Sequence, residues 1–162
     1  MSSVSRPLLR YLGGKWRLAP WIISHFPPHD FYTEVFAGSA AVLLRKPRCS
    51  NEIINDLDGE IVALFRLLRS DRASDLVRAV ALTPFGRQDF EEAYLHTEDP
   101  VESARRLILR SFAGHGGALA IQRRPTGFRS VNRKSGSPPA APWRDYPSAL
   151  ASVVDRLRGV VV

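Results

Sequence analysis

The sequence predicts an α/β protein with a parallel sheet, and two observations indicate this fold class. Over residues 31–68, strand-like and helix-like segments alternate in the order strand, glycine turn, helix, strand, acid, helix. Strands joined through helices pair in parallel, and the helices pack on the sheet. The glycine turn at Gly38 and the acid at Asp56 follow the ends of the two strands, where such sheets bind their ligands.

The composition is typical of one soluble domain. The chain of 162 residues is 44% apolar and 24% charged, which is ordinary for a globular protein. It holds no apolar run of about 18 residues that could form a membrane helix, and its first residues lack the apolar core of a secretion signal. A single cysteine, Cys49, excludes an internal disulfide. We therefore expect a soluble cytoplasmic protein.

The elements before residue 69 each follow from a local pattern. A helix is expected over 15–26, where apolar side chains recur at helical spacing, and Pro27 ends it. Strands are expected over 31–36 and 52–54, with a short helix over 40–44 between them. Asp58 is a suitable cap for a further helix. The apolar stripe of that helix comprises Ile61, Leu64, Phe65 and Leu68.

After residue 69 the alternation of strands and helices stops. Helices are expected over 72–82, 87–95 and 100–112, and the last of these begins at Asp99-Pro100. Residues 113–147 are rich in Gly, Pro, Ser and Arg and predict a long loop or hairpin, a kind of segment that is commonly functional. A final helix is expected over 147–158, ended by Gly159.

The last three residues, Val160-Val161-Val162, predict the opening of a buried parallel strand. Because the sequence stops inside this strand, we expect a truncated chain with an incomplete sheet. An incomplete sheet leaves apolar surface exposed next to Val160, and we expect marginal stability or self-association from it.

The net charge is concentrated in one segment. Residues 101–146 hold nine basic and two acidic side chains, which accounts for the whole formal charge of +7 and leaves the rest of the chain balanced. A localised basic segment is typical of proteins that bind a polyphosphate such as a nucleic acid. A solvated basic loop would have the same composition.

Small residues, Ala37-Gly38-Ser39, form the turn after the first strand. Such a turn lets a ligand approach the backbone and the free N–H groups of the following helix. Asp56 follows Gly38 by 18 residues, close to the separation of about 20 at which an acid accepts hydrogen bonds from a ribose. The pair predicts a nucleotide-type cofactor; the alternative is an ordinary tight turn with Asp56 beside a helix cap.

The segment 10–16, Arg-Tyr-Leu-Gly-Gly-Lys-Trp, combines an aromatic residue, a Gly-Gly bend and a lysine before the first helix. A phosphate-binding P-loop is excluded, because it would need Gly at position 9 and Ser or Thr at position 16, where Leu9 and Trp16 stand. The segment could lay Tyr11 against a planar ring and direct Lys15 at an anion or a base. A plain entry into the helix is the alternative.

With these residues in view, four ordered segments resemble the motifs of the Dam-type adenine-specific DNA methyltransferases. Residues 10–15 resemble the family's (K/R)-(W/Y)-x-G-G-K signature, and residues 33–40, Thr-Glu-Val-Phe-Ala-Gly-Ser-Ala, resemble its E-P-F-x-G-x-G cofactor loop. Residues 55–61 resemble its (A/N)-D-x-N-x-(D/E)-(L/I) segment, and residues 110–117 its N-x-x-G-x-x-G stretch. Their order and spacing agree with the family over residues 8–130.

The resemblance implies a Rossmann-like, S-adenosylmethionine-dependent methyltransferase sheet with a helical DNA-recognition insertion that acts on double-stranded DNA. Residues 1–69 would begin the catalytic domain, 70–146 would form the target-recognition insertion, and 147–162 would return to the catalytic domain. The residues implied in cofactor binding are Tyr11, Lys15, Glu34, Phe36, Ala37, Gly38, Ser39, Ala40 and Asp56. Those implied in DNA binding are Lys15, Arg110, Arg123, Arg124, Arg129, Arg133 and Lys134.

The sequence departs from the family at three places. Val35 replaces a proline, and Ala40 replaces the second glycine of the cofactor loop, which adds a methyl group close to the cofactor. The family's (D/N)-P-P-(Y/F) tetrapeptide, which holds the flipped adenine by its amino group, does not occur in the chain. Such positioning supplies about 7–11 kcal/mol of a reaction barrier. No catalytic residue is therefore assigned, and we expect a chain that is inactive alone and has a complementary C-terminal fragment as its partner.

Other kinds of site fit poorly, and two other functions stay open. One cysteine and scattered histidines offer no metal-ligand set, so no metal is expected. The chain could be a non-catalytic DNA-binding protein that uses the basic segment 101–146. It could also be a nucleotide-binding enzyme of another kind. Competition for the cofactor site by S-adenosylhomocysteine, but not by ATP or NAD, would exclude this alternative.

Overall fold

The computed structural model describes residues 4–115, 126–130 and 140–162. Within these ranges the chain is a mixed α/β protein with a small parallel sheet and many helices. The elements in chain order are α1 (Ala19–Ser24), β1 (Phe31–Glu34), α2 (Ala41–Arg45), β2 (Asn51–Ile54), α3 (Gly59–Leu68), α4 (Ala73–Leu82), α5 (Arg87–Glu92), α6 (Pro100–Ala113), α7 (Ala140–Arg144) and α8 (Tyr146–Leu157).

The two strands pair in parallel, as the sequence predicts, with Phe31 opposite Asn51 and Glu34 opposite Ile54. On the other side of β2, the Val161 N–H donates to the Glu52 carbonyl and the Ile54 N–H donates to the Val161 carbonyl, both at 2.9 Å. The parallel pairing predicted for residues 160–162 is therefore confirmed at Val161, and β2 lies between Val161 and β1. A complete Rossmann-type strand order stays a prediction.

The two faces of the sheet differ because side chains alternate across a strand. Ile54 and Val160 are buried in the core shared with the helices. On the opposite face, Phe31 is 73% exposed and Val161 is 56% exposed, with Ile53 between them in the sheet. The exposed apolar surface expected beside Val160 is thus confirmed.

The helices share one hydrophobic core. The helix α4 packs on α6 and α8, and α6 also packs on α3, so segment 70–113 is joined to the residues before and after it. The division into three regions stays a proposal. Both predicted caps are confirmed: the Asp58 carboxylate accepts from the Glu60 N–H at 2.9 Å, and Asp99 accepts from the N–H groups at the start of α6. No helix of the described ranges is long and apolar enough to cross a membrane.

Several sequence-based boundaries differ from those of the structure. The first helix begins at Ala19 rather than Lys15, because turns follow the left-handed Gly13, whose φ is 76°. The predicted loop 113–147 contains α7, and α8 begins one residue early at Tyr146. Trp143 accounts for the extra helix: its ring stacks with that of Tyr146, and its Nε1 donates to the Thr83 carbonyl at 2.8 Å. Part of the hairpin expected in this segment lies within the described residues, where Gly114 and Phe128 form an antiparallel bridge.

Candidate functional site

The segment 10–16, here called the hook, lies beside the turn that follows β1. Together they enclose a cavity of about 270 Å³, called the hook–turn cavity below. Its lining residues are Tyr11, Leu12, Gly13, Gly14, Lys15, Glu34, Phe36, Ala37, Gly38, Ser39 and Ala41. Most residues that the sequence assigned to cofactor binding are therefore brought together, and Leu12, Gly13, Gly14 and Ala41 are added to them.

Tyr11 packs directly on the backbone of Gly38. A Cβ atom at position 38 would lie 2.8 Å from the Tyr11 Cε1 atom, which is closer than van der Waals contact allows. The φ angle of Gly38 is also +49°, in the left-handed region that favours glycine. Burial raises the pKa of the Tyr11 hydroxyl, and the charges of Asp56 and Asp58 raise it further. Position 38 therefore requires glycine both for its backbone and for the ring above it.

Asp56 holds the same turn from the end of the second strand. Its Oδ2 accepts from the Gly38 N–H at 2.7 Å, and its Oδ1 accepts from the Asp58 N–H at 3.0 Å. Asp56 is not among the residues that line the hook–turn cavity. A carboxylate has about four acceptor sites, so each oxygen keeps the capacity for a further hydrogen bond. A ribose contact stays a prediction, whereas the contact with the turn is present.

Glu34, the last residue of β1, lines the floor of the cavity next to the first turn of α2. Burial is the largest influence on its carboxyl and raises the pKa to about 7. Hydrogen bonds from the N–H groups of Leu43 and Val42 and from the Tyr32 hydroxyl act in the opposite sense and lower the pKa, but they do not outweigh the burial. The Oε2 atom of Glu34 is buried and has no hydrogen-bond partner among the described residues. A buried oxygen of this kind is suited to accept a hydrogen bond from a cationic ligand group.

Exposed side chains surround the rim of the cavity. The Lys15 ammonium is exposed and donates to the Gly13 carbonyl within the hook. Phe36 is 78% exposed at the cavity, and Leu57 is 87% exposed directly after Asp56. Leu57 itself does not line the cavity.

Ala40 differs from its sequence-based assignment. Its side chain is fully buried in the hydrophobic core and does not line the hook–turn cavity, so the expected crowding of a cofactor by its methyl group is not supported. The substitution instead affects the backbone, because Ala40 adopts a φ of 48° and a ψ of 41°. A left-handed conformation costs a residue other than glycine about 1–2 kcal/mol.

The assignment of Arg110 to DNA binding is also not supported. Arg110 is only 6% exposed. Its Nη2 donates to the Glu60 carboxylate and its Nη1 donates to the Ala93 carbonyl, both at 2.9 Å. These contacts join α6 to α3 and to the end of α5, and they leave the guanidinium inside the protein.

The remaining predicted DNA-binding residues of the insertion belong to segment 113–147, for which the sequence predicts a loop or hairpin. Arg129 is partly buried, and it donates to the Phe112 carbonyl at 3.0 Å. Arg10, which was not assigned to DNA, donates to the same carbonyl at 3.3 Å. The other members, Arg123, Arg124, Arg133 and Lys134, lie outside the described residues.

A parallel sheet whose strand ends carry a small-residue turn and an acid is typical of α/β proteins that bind nucleotide-type cofactors. In the described ranges, no group of three or more His, Cys, Asp and Glu side chains could hold a metal ion. Residues 11–128 match the family model for D12 class N6 adenine-specific DNA methyltransferases. The match covers more than half of the chain, so the chain belongs to this family. The resemblance drawn from the four motifs is therefore confirmed.

Proposed function

We propose that this chain binds S-adenosylmethionine at the hook–turn cavity and double-stranded DNA through residues 70–146, as part of an enzyme that methylates the exocyclic amino nitrogen of adenine. The observation that carries the proposal is the packing of Tyr11 on Gly38, which joins two motifs of a DNA adenine methyltransferase family into one cavity. A non-catalytic DNA-binding protein would need neither the cavity nor the buried acid in its floor.

The residues of the cavity fit the proposed cofactor. A cavity of about 270 Å³ is slightly below the range of about 300–1,000 Å³ that is usual for small-molecule pockets, so it suits one end of the cofactor. The buried Oε2 of Glu34 supplies an acceptor for the ammonium group of the methionine end. Outside the cavity, after the end of β2, Asp56 and the exposed Leu57 supply an acceptor and an apolar surface for the nucleoside end in this proposal.

In this proposal the chain's own residues bind and orient. The bound cofactor supplies a methyl group on a positively charged sulfur. Glu34 balances the cofactor's ammonium charge, and Asp56 holds the turn and accepts from the ribose hydroxyls. The (D/N)-P-P-(Y/F) tetrapeptide that would hold the adenine amino nitrogen is not among these 162 residues, so no residue named here is given that role.

Calorimetric titration of the full chain with S-adenosylhomocysteine tests the cofactor assignment. We expect binding that ATP and NAD do not displace, and a loss of at least about tenfold in Asp56→Ala, because a hydrogen bond to a charged group contributes about 1.5–3 kcal/mol. Asp71→Ala removes an exposed carboxylate outside the cavity and serves as the matched control. Absence of binding, or equal competition by ATP, would contradict the proposal.

Fluorescence anisotropy with a labelled DNA duplex tests the DNA assignment. Replacing Arg123 and Arg124 together by Gln should weaken DNA binding and reduce its salt dependence, because each lost phosphate contact removes about 0.9 from the slope of log K against log salt. Unchanged affinity in this double variant would count against the insertion as the DNA-binding region.

A further inference from the structure

A second and larger cavity lies at the other end of α2. Ala41, the first residue of α2, borders the hook–turn cavity, whereas Arg45, its last residue, borders this second cavity of about 860 Å³. We call the second cavity the basic groove. Its lining residues are Val4, Ser5, Trp16, Leu44, Arg45, Lys46, Pro47, Arg48, Asp155, Arg156 and Arg158.

The lining of the groove is strongly basic, although the part of the chain outside residues 101–146 is neutral overall. Five lining side chains are basic and one, Asp155, is acidic. The chain outside residues 101–146 carries no net charge, so this local excess does not reflect the overall composition. It arises because the loop after α2 and the end of α8 are brought together by the fold.

Part of this charge is buried behind the groove. The Glu52 carboxylate accepts from Lys46 Nζ at 2.8 Å and from Arg156 Nη1 and Nη2 at 2.6 and 2.8 Å. Burial alone would raise the pKa of Glu52, but the hydrogen bonds from Arg156 and Lys46 outweigh it and lower the pKa. Two cations share one carboxylate, and the Nε of Arg156 is buried without a hydrogen-bond partner among the described residues. A surplus positive charge therefore remains in the groove wall.

The exposed arginines are fixed at the two sides of the groove. The guanidinium of Arg45 lies over the Trp16 ring, 5.1 Å from its centroid, and donates to the Trp16 carbonyl. Arg48 donates to the carbonyls of Asp155 and Arg158, both at 2.7 Å, at the end of α8. Because each guanidinium has five N–H donors, these contacts orient the groups and leave donors free.

We propose that the basic groove binds the sugar-phosphate backbone of a nucleic acid strand, as a contact separate from residues 70–146. Fixed guanidinium groups suit phosphate because they donate two parallel hydrogen bonds to it. A cavity of about 860 Å³ is large enough for a unit of the size of a nucleotide, so it suits successive backbone groups better than one small anion. The identity of the strand as the DNA substrate rests on the proposed function.

The salt dependence of DNA binding by the full chain tests this proposal. Arg45→Gln with Arg158→Gln should reduce the slope of log K against log salt by about 1.8, at about 0.9 for each phosphate contact. Arg158→Gln alone leaves the Arg45–Trp16 contact intact and should reduce the slope by about 0.9. The matched control, Arg66→Gln with Arg69→Gln, removes the same charge from exposed positions outside both the groove and residues 70–146 and should keep the wild-type slope.

The outcomes separate this proposal from the proposed function. A wild-type slope in the groove variants, or an equal reduction in the control, would overturn the groove as a nucleic acid site. Binding of AMP to the wild-type protein that the double groove variant loses, without any displacement of the DNA, would assign the groove to free nucleotides and also overturn the proposal. The affinity for S-adenosylhomocysteine should be equal in the wild type and in all these variants. If the wild-type chain did not bind S-adenosylhomocysteine at all, that result would refute the proposed function rather than the groove.

Discussion

The aromatic ring of Tyr11 lies across the backbone of Gly38, so close that a Cβ atom at position 38 would be 2.8 Å from Cε1. This contact joins the hook to the turn after β1, and the carboxylate of Asp56 holds the same glycine from its N–H at 2.7 Å. Three separate sequence motifs therefore meet at one residue. The proposed cofactor site depends on the geometry of that residue.

Gly38→Ala should disrupt the proposed site. The added methyl group meets the Tyr11 ring, and alanine disfavours the φ of +49°, which costs about 1–3 kcal/mol. We expect at least a tenfold loss of S-adenosylhomocysteine affinity by calorimetry and a lower melting temperature. Gly59→Ala is the matched control, because a Cβ atom there meets nothing within 4 Å. Wild-type affinity in Gly38→Ala would contradict the account.

Glu34 should make cofactor binding depend on pH. Burial raises the pKa of this carboxyl to about 7, so the ionised form that attracts an ammonium group prevails only above that pH. From pH 6 to pH 8, the affinity for S-adenosylhomocysteine should rise by up to about tenfold in the wild type. Glu34→Gln should lack this rise, while any titration of the ligand itself remains in both proteins. Identical pH profiles would rule out the assigned role.

The carboxyl of Glu34 should also make protein stability depend on pH, with stability falling as pH rises whereas cofactor affinity increases. Because the pKa of Glu34 is about 7 in the folded protein and 4.5 as a free group, the folded state holds the proton more tightly between these values. The contribution of Glu34 to the free energy of unfolding should therefore fall as pH rises from about 4.5 to 7. Urea unfolding over this pH range should show a fall in the free energy of unfolding of the wild type that Glu34→Gln lacks. The same pH dependence in both proteins would mean that Glu34 is solvated and would contradict the prediction.

Glu52→Gln should destabilise the fold strongly. It leaves the buried cations of Lys46 and Arg156 without their carboxylate, and breaking a buried ion pair costs about 3–5 kcal/mol. Since the pKa of Glu52 is lowered in the fold, its contribution is present above its ordinary pKa and is lost as pH falls through the lowered value. Urea unfolding tests this against Glu91→Gln, an exposed control. Equal losses in the two variants would disprove the role of the cluster.

The uncovered face of the sheet should promote self-association. Phe31 is 73% exposed there, and Ile53 and Val161 belong to the same face. We expect sedimentation to show association that increases with protein concentration and is reduced by Phe31→Ser. Leu82→Ser removes a side chain of similar exposure, 71%, from α4 and should have no such effect. A compact monomer at all concentrations would contradict the expectation.

The sequence predicts those features that depend on neighbouring residues. The stripe of α3, the caps at Asp58 and Asp99, and the parallel pairing at Val161 all follow from local patterns. Arg110, which the resemblance implied in DNA binding, is instead buried, because Glu60, a distant residue in the chain, is its partner in the core. Spacing within one segment cannot indicate such a partner.

The remaining differences have the same physical origin. The helix α7 depends on the packing of Trp143 against Phe112 and Tyr146 from other helices. The basic groove joins the basic loop after α2 to the end of α8, two segments more than 100 residues apart in the sequence. Tertiary contacts of this kind decide both the element and the site, and only the folded arrangement contains them.

Photolabelling with radioactive S-adenosylmethionine tests the central claim most directly, because it locates the bound cofactor on the chain. Trypsin cleaves after Arg10, Lys15, Arg17 and Arg45, so the hook yields peptide 11–15 and the turn yields peptide 18–45. We predict that ultraviolet irradiation places the label in one or both of these peptides and that excess S-adenosylhomocysteine abolishes it. Label confined to other peptides, or no label that S-adenosylhomocysteine suppresses, would contradict a cofactor site between Tyr11 and Gly38.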